Sequence, residues 1–127
     1  MTIARPRTHT WVRVCALSDL EVERGRAALI GDTQIALFLL ADGTVRAVSN
    51  YDPYGDAHVI SRGIVGSLLL PDGSEVPTIA SPLHKQVWDL RTGLVLETHG
   101  KDERALATYP VGLDGDAVRV RVREEAP

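Results

Sequence analysis

The sequence predicts an all-β fold, an antiparallel β-sandwich or barrel of about ten short strands. Three observations carry this. Apolar runs are short, and no helical repeat persists over a normal helix length. Gly-Asp, Asp-Gly and Thr-Gly turn signals recur at intervals of roughly eight to twelve residues. The last run, Ala117 to Arg123, alternates cleanly: Val118, Val120 and Val122 share one face, and Arg119, Arg121 and Arg123 share the other. Those arginines read as a solvated sheet face rather than an anion site.

Residues 1–9 are polar, carry Pro6 and have no period, so they read as a flexible tail. Trp11 to Cys15 alternates as a strand, with Trp11, Arg13 and Cys15 on one face and Val12 and Val14 on the other. Trp11 is expected in the core. Ser18-Asp19 followed by Glu21 can start a helical turn, which Gly25 cuts short. Arg26–Ile30 and Gln34–Leu40 flank Gly31-Asp32-Thr33 as a hairpin. The second of these runs is apolar on both faces and is expected mid-sheet. A two-residue Asp42-Gly43 link leads into Thr44–Ser49.

A first loop follows, Asn50 to Gly63, whose Asp52-Pro53 and Tyr54-Gly55 are turn chemistry. Ile64–Leu70 and Glu75–Ala80 flank a third turn, Pro71 to Ser74. The second loop is Ser81 to Lys85. Gln86–Leu90 and Leu94–Glu97 flank Arg91-Thr92-Gly93, and Trp88 reads as core. Thr98 to Arg104 is a polar connection. Ala105–Val111 and Ala117–Arg123 form the last expected hairpin around Gly112 to Asp116.

The chain has 127 residues, enough for one domain with a sizeable core. The expected domain is 10–123, with a loop subdomain at about 50–90 and tails at 1–9 and 124–127. A net charge of −3 argues against a nucleic-acid partner, which calls for a basic surface. The single cysteine, Cys15, cannot form an intrachain disulfide. The start lacks the apolar segment of a secretory signal, and the longest apolar run, Ile35 to Ala41, is too short to span a bilayer. A soluble, cytoplasmic protein with no membrane partner is expected.

Two Pro-containing loops, each leaving a strand and joined by a hairpin, dominate the middle of the chain. They read S-N-Y-D-P-Y-G from Ser49, S-R-G from Ser61 and A-S-P-L-H-K-Q from Ala80. This arrangement resembles the Rieske iron–sulfur fold over about Thr10 to Arg123. In that family the loops carry C-x-H and C-x-x-H. Here Asn50 and Ser81 stand where the thiolates would be, and Asp52 and His84 where the imidazoles would be. A Rieske centre needs two thiolates and two imidazoles, so the resemblance implies that the 2Fe-2S cluster is absent.

Within the Rieske-like group, S-N-x-D-P, S-R-G-I and A-S-P-L-x-K-Q in this order resemble the small subunits of assimilatory NAD(P)H-dependent nitrite reductase. That resemblance implies an accessory chain with no catalytic site of its own. Its partner would be a large subunit holding FAD, sirohaem and a 4Fe-4S cluster. Two alternatives remain at this point: a Rieske-type ferredoxin serving an oxygenase, and a stand-alone binding module of the same fold.

The candidate site residues follow from the loops. Asn50, Asp52, Ser81 and His84 are vestigial cluster positions. Asn50 and Ser81 are expected to hydrogen-bond the opposing loop's backbone in place of the cluster. Asp52 and His84, with His58 as a third group, have donor types suited to zinc or iron. Asp52 before Pro53 reads more simply as a turn residue bonding its own backbone, and His84 as an ordinary loop histidine. Tyr51, Tyr54 and Leu83 are expected partner anchors at the loop tips, with Arg62 and Lys85 as flanking charges. His9 and His99 support no site.

Overall fold

The computed structural model describes residues 8–124. It holds thirteen strands among them: β1 (Thr8–Ala16), β2 (Arg26–Ile30), β3 (Thr33–Leu39), β4 (Val45–Ser49), β5 (Tyr51–Asp52), β6 (Ala57–His58), β7 (Ile64–Leu69), β8 (Glu75–Ala80), β9 (Val87–Asp89), β10 (Val95–Glu97), β11 (Thr108–Tyr109), β12 (Val111–Asp114) and β13 (Ala117–Glu124). Short 3-10 turns at Leu17–Asp19 and Ile60–Arg62 are the helical pieces. No helix among the described residues is long and apolar enough to cross a membrane.

Three antiparallel sheets form the body, with strand orders β1-β13-β12, β11-β4-β3-β2 and β10-β9-β8-β7; β5 and β6 pair separately. Strand β3 belongs to the middle sheet and is apolar on both faces because both are covered. Ala36 and Phe38 join Ile60, Ile79, Trp88 and Leu106 in one core, while Ile35 and Leu37 join Cys15, Val118 and Val120 in another. Side chains alternate sides along a strand, so one apolar run serves two cores.

Several expectations meet corrections. A bulge between Arg13 and Cys15 shifts the β1–β13 register. The extra residue reverses which face follows, so Cys15 is buried while Trp11 is 45 % exposed. Trp11 is not core: it lies over Gly112, with the Arg121 guanidinium 5.9 Å from its ring centroid. Ala105–Val111 is not one strand. Pro110 separates β11, which pairs with β4, from β12, which pairs with β13, as expected of a residue that has no N–H to give a ladder.

The Asp42-Gly43 link is a longer turn than expected. Leu40 N donates to Thr44 O and Gly43 N to Leu40 O, and of the turn residues only Gly43 takes a positive φ, of 89°. This is the three-residue hairpin geometry. The turn between β7 and β8 repeats it with Leu70, Gly73 and Ser74. Strand pairing also extends past the expected 10–123 limits, since Thr8 pairs with Glu124. The rest of the expected tails, 1–7 and 125–127, lies outside the described residues.

Candidate functional site

The first loop leaves β4 at Asn50 and folds on itself. Tyr51 pairs with His58 and Asp52 with Ala57. Asp52 closes the turn between them. Its Oδ1 accepts the N–H groups of Tyr54 at 2.8 Å and Gly55 at 3.1 Å, and its carbonyl accepts Asp56 N at 2.8 Å. The self-bonding turn read from Asp52-Pro53 is thus present.

The second loop leaves β8 at Ser81, whose N–H donates to Gln86 O at 2.9 Å. The Ser81 hydroxyl donates to Asp52 Oδ2 across the gap and accepts Leu83 N at 3.1 Å. Ser81 and Asp52 are both buried, at 1 % and 0 % exposure. This single side-chain bond joins the loops through a carboxylate already held by two backbone N–H groups. A charge-assisted hydrogen bond of this kind contributes about 1.5–3 kcal/mol. The space beside it is filled: a Cβ on Gly55 would collide with the Leu83 side chain and approach Asp52 Oδ2 at 3.3 Å.

Asn50 is buried too, but it does not bridge the loops. Its Oδ1 accepts Ser61 N at 2.7 Å, and its Nδ2 donates to Gln34 Oε1 and His58 O, each at 3.3 Å. It fastens the first loop to itself and to β3. The expected pair of cross-loop bonds is therefore one bond, made by Ser81 to a side chain rather than to backbone.

The remaining candidates divide. Tyr54 is engaged within the chain. Its ring lies 5.8 Å from Trp88, and its hydroxyl donates to Asp102 O at 2.7 Å and accepts Arg104 N at 2.9 Å. Tyr51 leans on His58 with ring centroids 5.3 Å apart, and its hydroxyl donates to Asp56. That bond to the Asp56 carboxylate holds the Tyr51 hydroxyl above the ordinary tyrosine range. Arg62, Leu83, His84 and Lys85 are exposed. Lys85 has a positive φ of 65°. Asp52, His84 and His58 do not gather: among the described residues no group of three or more His, Cys, Asp or Glu is placed to hold a metal.

Sequence reasoning passed over a cleft behind the second loop. Its volume is about 440 Å³, and it is lined by Tyr54, His84, Gln86, His99, Lys101, Asp102 and Arg104. His99 is tied to the second loop, its Nε2 lying 2.9 Å from Lys85 O. Arg104 donates to Asp102 Oδ2 at 3.1 Å and to Pro53 O at 3.0 Å. The Arg104 guanidinium holds the Asp102 carboxyl below the usual range. Gln86 is 2 % exposed, and its Oε1 is buried without a protein partner. Such an acceptor costs about 1–3 kcal/mol. The available signal was Gln86 itself, a polar residue placed directly before Val87 and Trp88 of β9.

Residues 10–121 match the family described as Rieske-like [2Fe-2S] domain. This chain belongs to that family. Among its relatives, the Escherichia coli (strain K12) nitrite reductase (NADH) small subunit is 36 % identical over 88 residues, 68 % of this chain and 77 % of that protein. The solution structure of the E. coli protein NirD is 31 % identical, covers 91 % of this chain and 98 % of that one, and superposes with a TM-score of 0.74. The Klebsiella oxytoca nitrite reductase [NAD(P)H] large subunit is 34 % identical over 110 residues. This match takes in 87 % of the present chain but spans only 11 % of that protein.

The Rieske-like family implies a 2Fe-2S cluster, and the residues here do not fit one. An amide, a carboxylate and a hydroxyl replace both thiolates and one imidazole. Two of the four groups, Asp52 and Ser81, are bonded to each other. A third, Asn50, is consumed by backbone and Gln34. No electron-transfer step is drawn through these loops.

Proposed function

We propose that this chain is the accessory small subunit of a cytoplasmic, assimilatory NAD(P)H-dependent nitrite reductase, and that it carries no cluster of its own. Nitrite reduction to ammonia would proceed on a large subunit holding FAD, sirohaem and a 4Fe-4S cluster. The observation that carries the redox-silent part is the Ser81–Asp52 bond between the loop tips. The similarity to nitrite reductase small subunits along most of the chain supports the partner. So does the Klebsiella relative, in which a segment similar to this chain forms part of the large subunit's own polypeptide.

The partner-binding tips, Tyr51, Leu83, Arg62 and Lys85, belong to this reading, with Tyr54 bracing them from behind. In this reading one domain runs from β1 to β13, with the loops of 50–90 presented on its sheets. The test has two arms. After anaerobic reconstitution with iron and sulfide, the purified chain binds less than a tenth of one cluster and gives no reduced-cluster EPR signal; stoichiometric iron with that signal refutes the redox-silent reading. Omitting the chain from a reconstituted enzyme lowers NAD(P)H-dependent nitrite reduction, and unchanged turnover refutes the accessory role.

A further inference from the structure

The cleft behind the second loop gathers His84, His99, Lys101 and Arg104 on a chain whose net charge is −3. Its one lining carboxylate, Asp102, is taken by Arg104. Glu97 lies nearby and is occupied by His99, whose backbone N–H it accepts at 3.0 Å. Lys101 and His84 are exposed and make no hydrogen bond or ion pair through their side chains among the described residues. The cleft therefore presents a Lys101 ammonium that holds no hydrogen bond or ion pair of its own among the described residues, next to the His84 imidazole.

A second observation is independent of charge. Gln86 lines the same cleft while almost wholly buried, and its Oε1 lacks a protein partner. Its Nε2 donates to Thr98 O at 3.4 Å. Rotating the amide would set oxygen against that carbonyl, so the donor's place is fixed and the acceptor is the free end. The only other such atoms among the described residues, Arg46 Nε and Arg121 Nε, belong to donors elsewhere. A ligand for this cleft thus needs an N–H beside a negative charge. An acidic residue within a peptide has both.

We infer that this cleft receives an acidic segment of the large subunit, its carboxylate pairing with Lys101 and His84 and a backbone N–H bonding Gln86 Oε1. The inference rests on the proposed partner and adds where and by what chemistry it docks. Two of the cleft's lining residues, Tyr54 and Arg104, are hydrogen-bonded across the chain, and Trp88 packs against Tyr54 and donates to Arg104 O.

Affinity between the full-length chain and its purified large subunit, measured by interferometry over a range of NaCl, tests this. Lys101→Glu weakens binding at least tenfold and flattens the salt dependence, Gln86→Met weakens it at least threefold, and Arg13→Glu, on the far sheet, leaves it unchanged. Lys101→Ala is the milder control, and urea midpoints confirm that each variant folds. If the wild-type chain binds while Lys101→Glu and Gln86→Met bind equally well, the cleft assignment fails and the partner stands. Equal weakening by Arg13→Glu also overturns it, as diffuse attraction. If the wild-type chain does not bind, the partner reading fails and takes the inference with it.

Discussion

Two polar regions lie on either side of the second loop, and they are finished differently. Between the loop tips the buried Asp52 and Ser81 satisfy one another and the backbone around them. Behind the loop, Gln86 is equally buried but keeps a free acceptor, in a cleft shared with Lys101, whose side chain makes no hydrogen bond or ion pair among the described residues. The first region is closed on itself and has structural work to do. The second is chemically incomplete, and incompleteness at low exposure points to something outside the chain. Of the two, the region at the family's cluster loops is the one whose buried polar groups are mutually bonded.

The strongest way to break this contrast is at Asp52. Asp52→Ala leaves the Ser81 hydroxyl and the N–H groups of Tyr54 and Gly55 without their acceptor. The expected loss is about 3 kcal/mol in urea unfolding; a loss below about 1 kcal/mol would mean the region is not closed by this carboxylate. Ser81→Ala follows at about 2 kcal/mol, since Asp52 keeps its backbone donors. In a double-mutant cycle the two losses are less than additive, and strict additivity would deny the bond between them.

Gln86→Met sharpens the contrast from the other side. It removes an unpartnered acceptor and one long donor bond, so stability should stay within about 1 kcal/mol of wild type. A large loss would show that Gln86 is structural after all. The smallest effect expected is at Asp89, the last residue of β9. Burial disfavours its charge, but bonds from the Arg91 guanidinium and backbone prevail, and its carboxyl sits below the ordinary range. A depressed folded-state pKa gives stability that is present above the ordinary carboxyl value and lost as pH falls through the folded one. The wild-type urea midpoint should therefore drop on acidification below about pH 4, and Asp89→Asn should flatten that limb. An unchanged limb would remove the ion pair from the account.

Much of the fold was legible because the hydrophobic pattern is literal in places. Ile35 to Leu40 has no polar position, and β3 indeed has no wet face. The valines of β13 alternate, and Val118 and Val120 are fully buried. Trp11 was misread because a bulge leaves no mark in composition, yet it changes the parity of every residue beyond it. Pro110 is the visible mark in the sequence that divides Ala105 to Val111, since it has no N–H to give a ladder.

At the loops, the resemblance to the Rieske ligand motifs singles out Asn50, Asp52 and Ser81, and only the turn at Asp52-Pro53 is read from local chemistry. Their partners were not readable, because the Asp52–Ser81 bond depends on how two segments twenty-nine residues apart are brought together. The cleft was hidden for a similar reason. His99, Lys101 and Arg104 come from a connection that reads as ordinary polar loop until Tyr54 fastens it to the first loop, Trp88 to β9 and His99 to the second loop.

The pairing of β1 with β13 has an architectural consequence. Thr8 faces Glu124 across one ladder rung, so the described chain enters and leaves within about 5 Å. A unit whose two ends adjoin can be spliced into a host polypeptide like a bead clipped onto thread, with little bending of the flanking strand. The same shape can then serve as a separate molecule or as a fraction of a giant one, which is the form its likeness takes in the Klebsiella oxytoca protein.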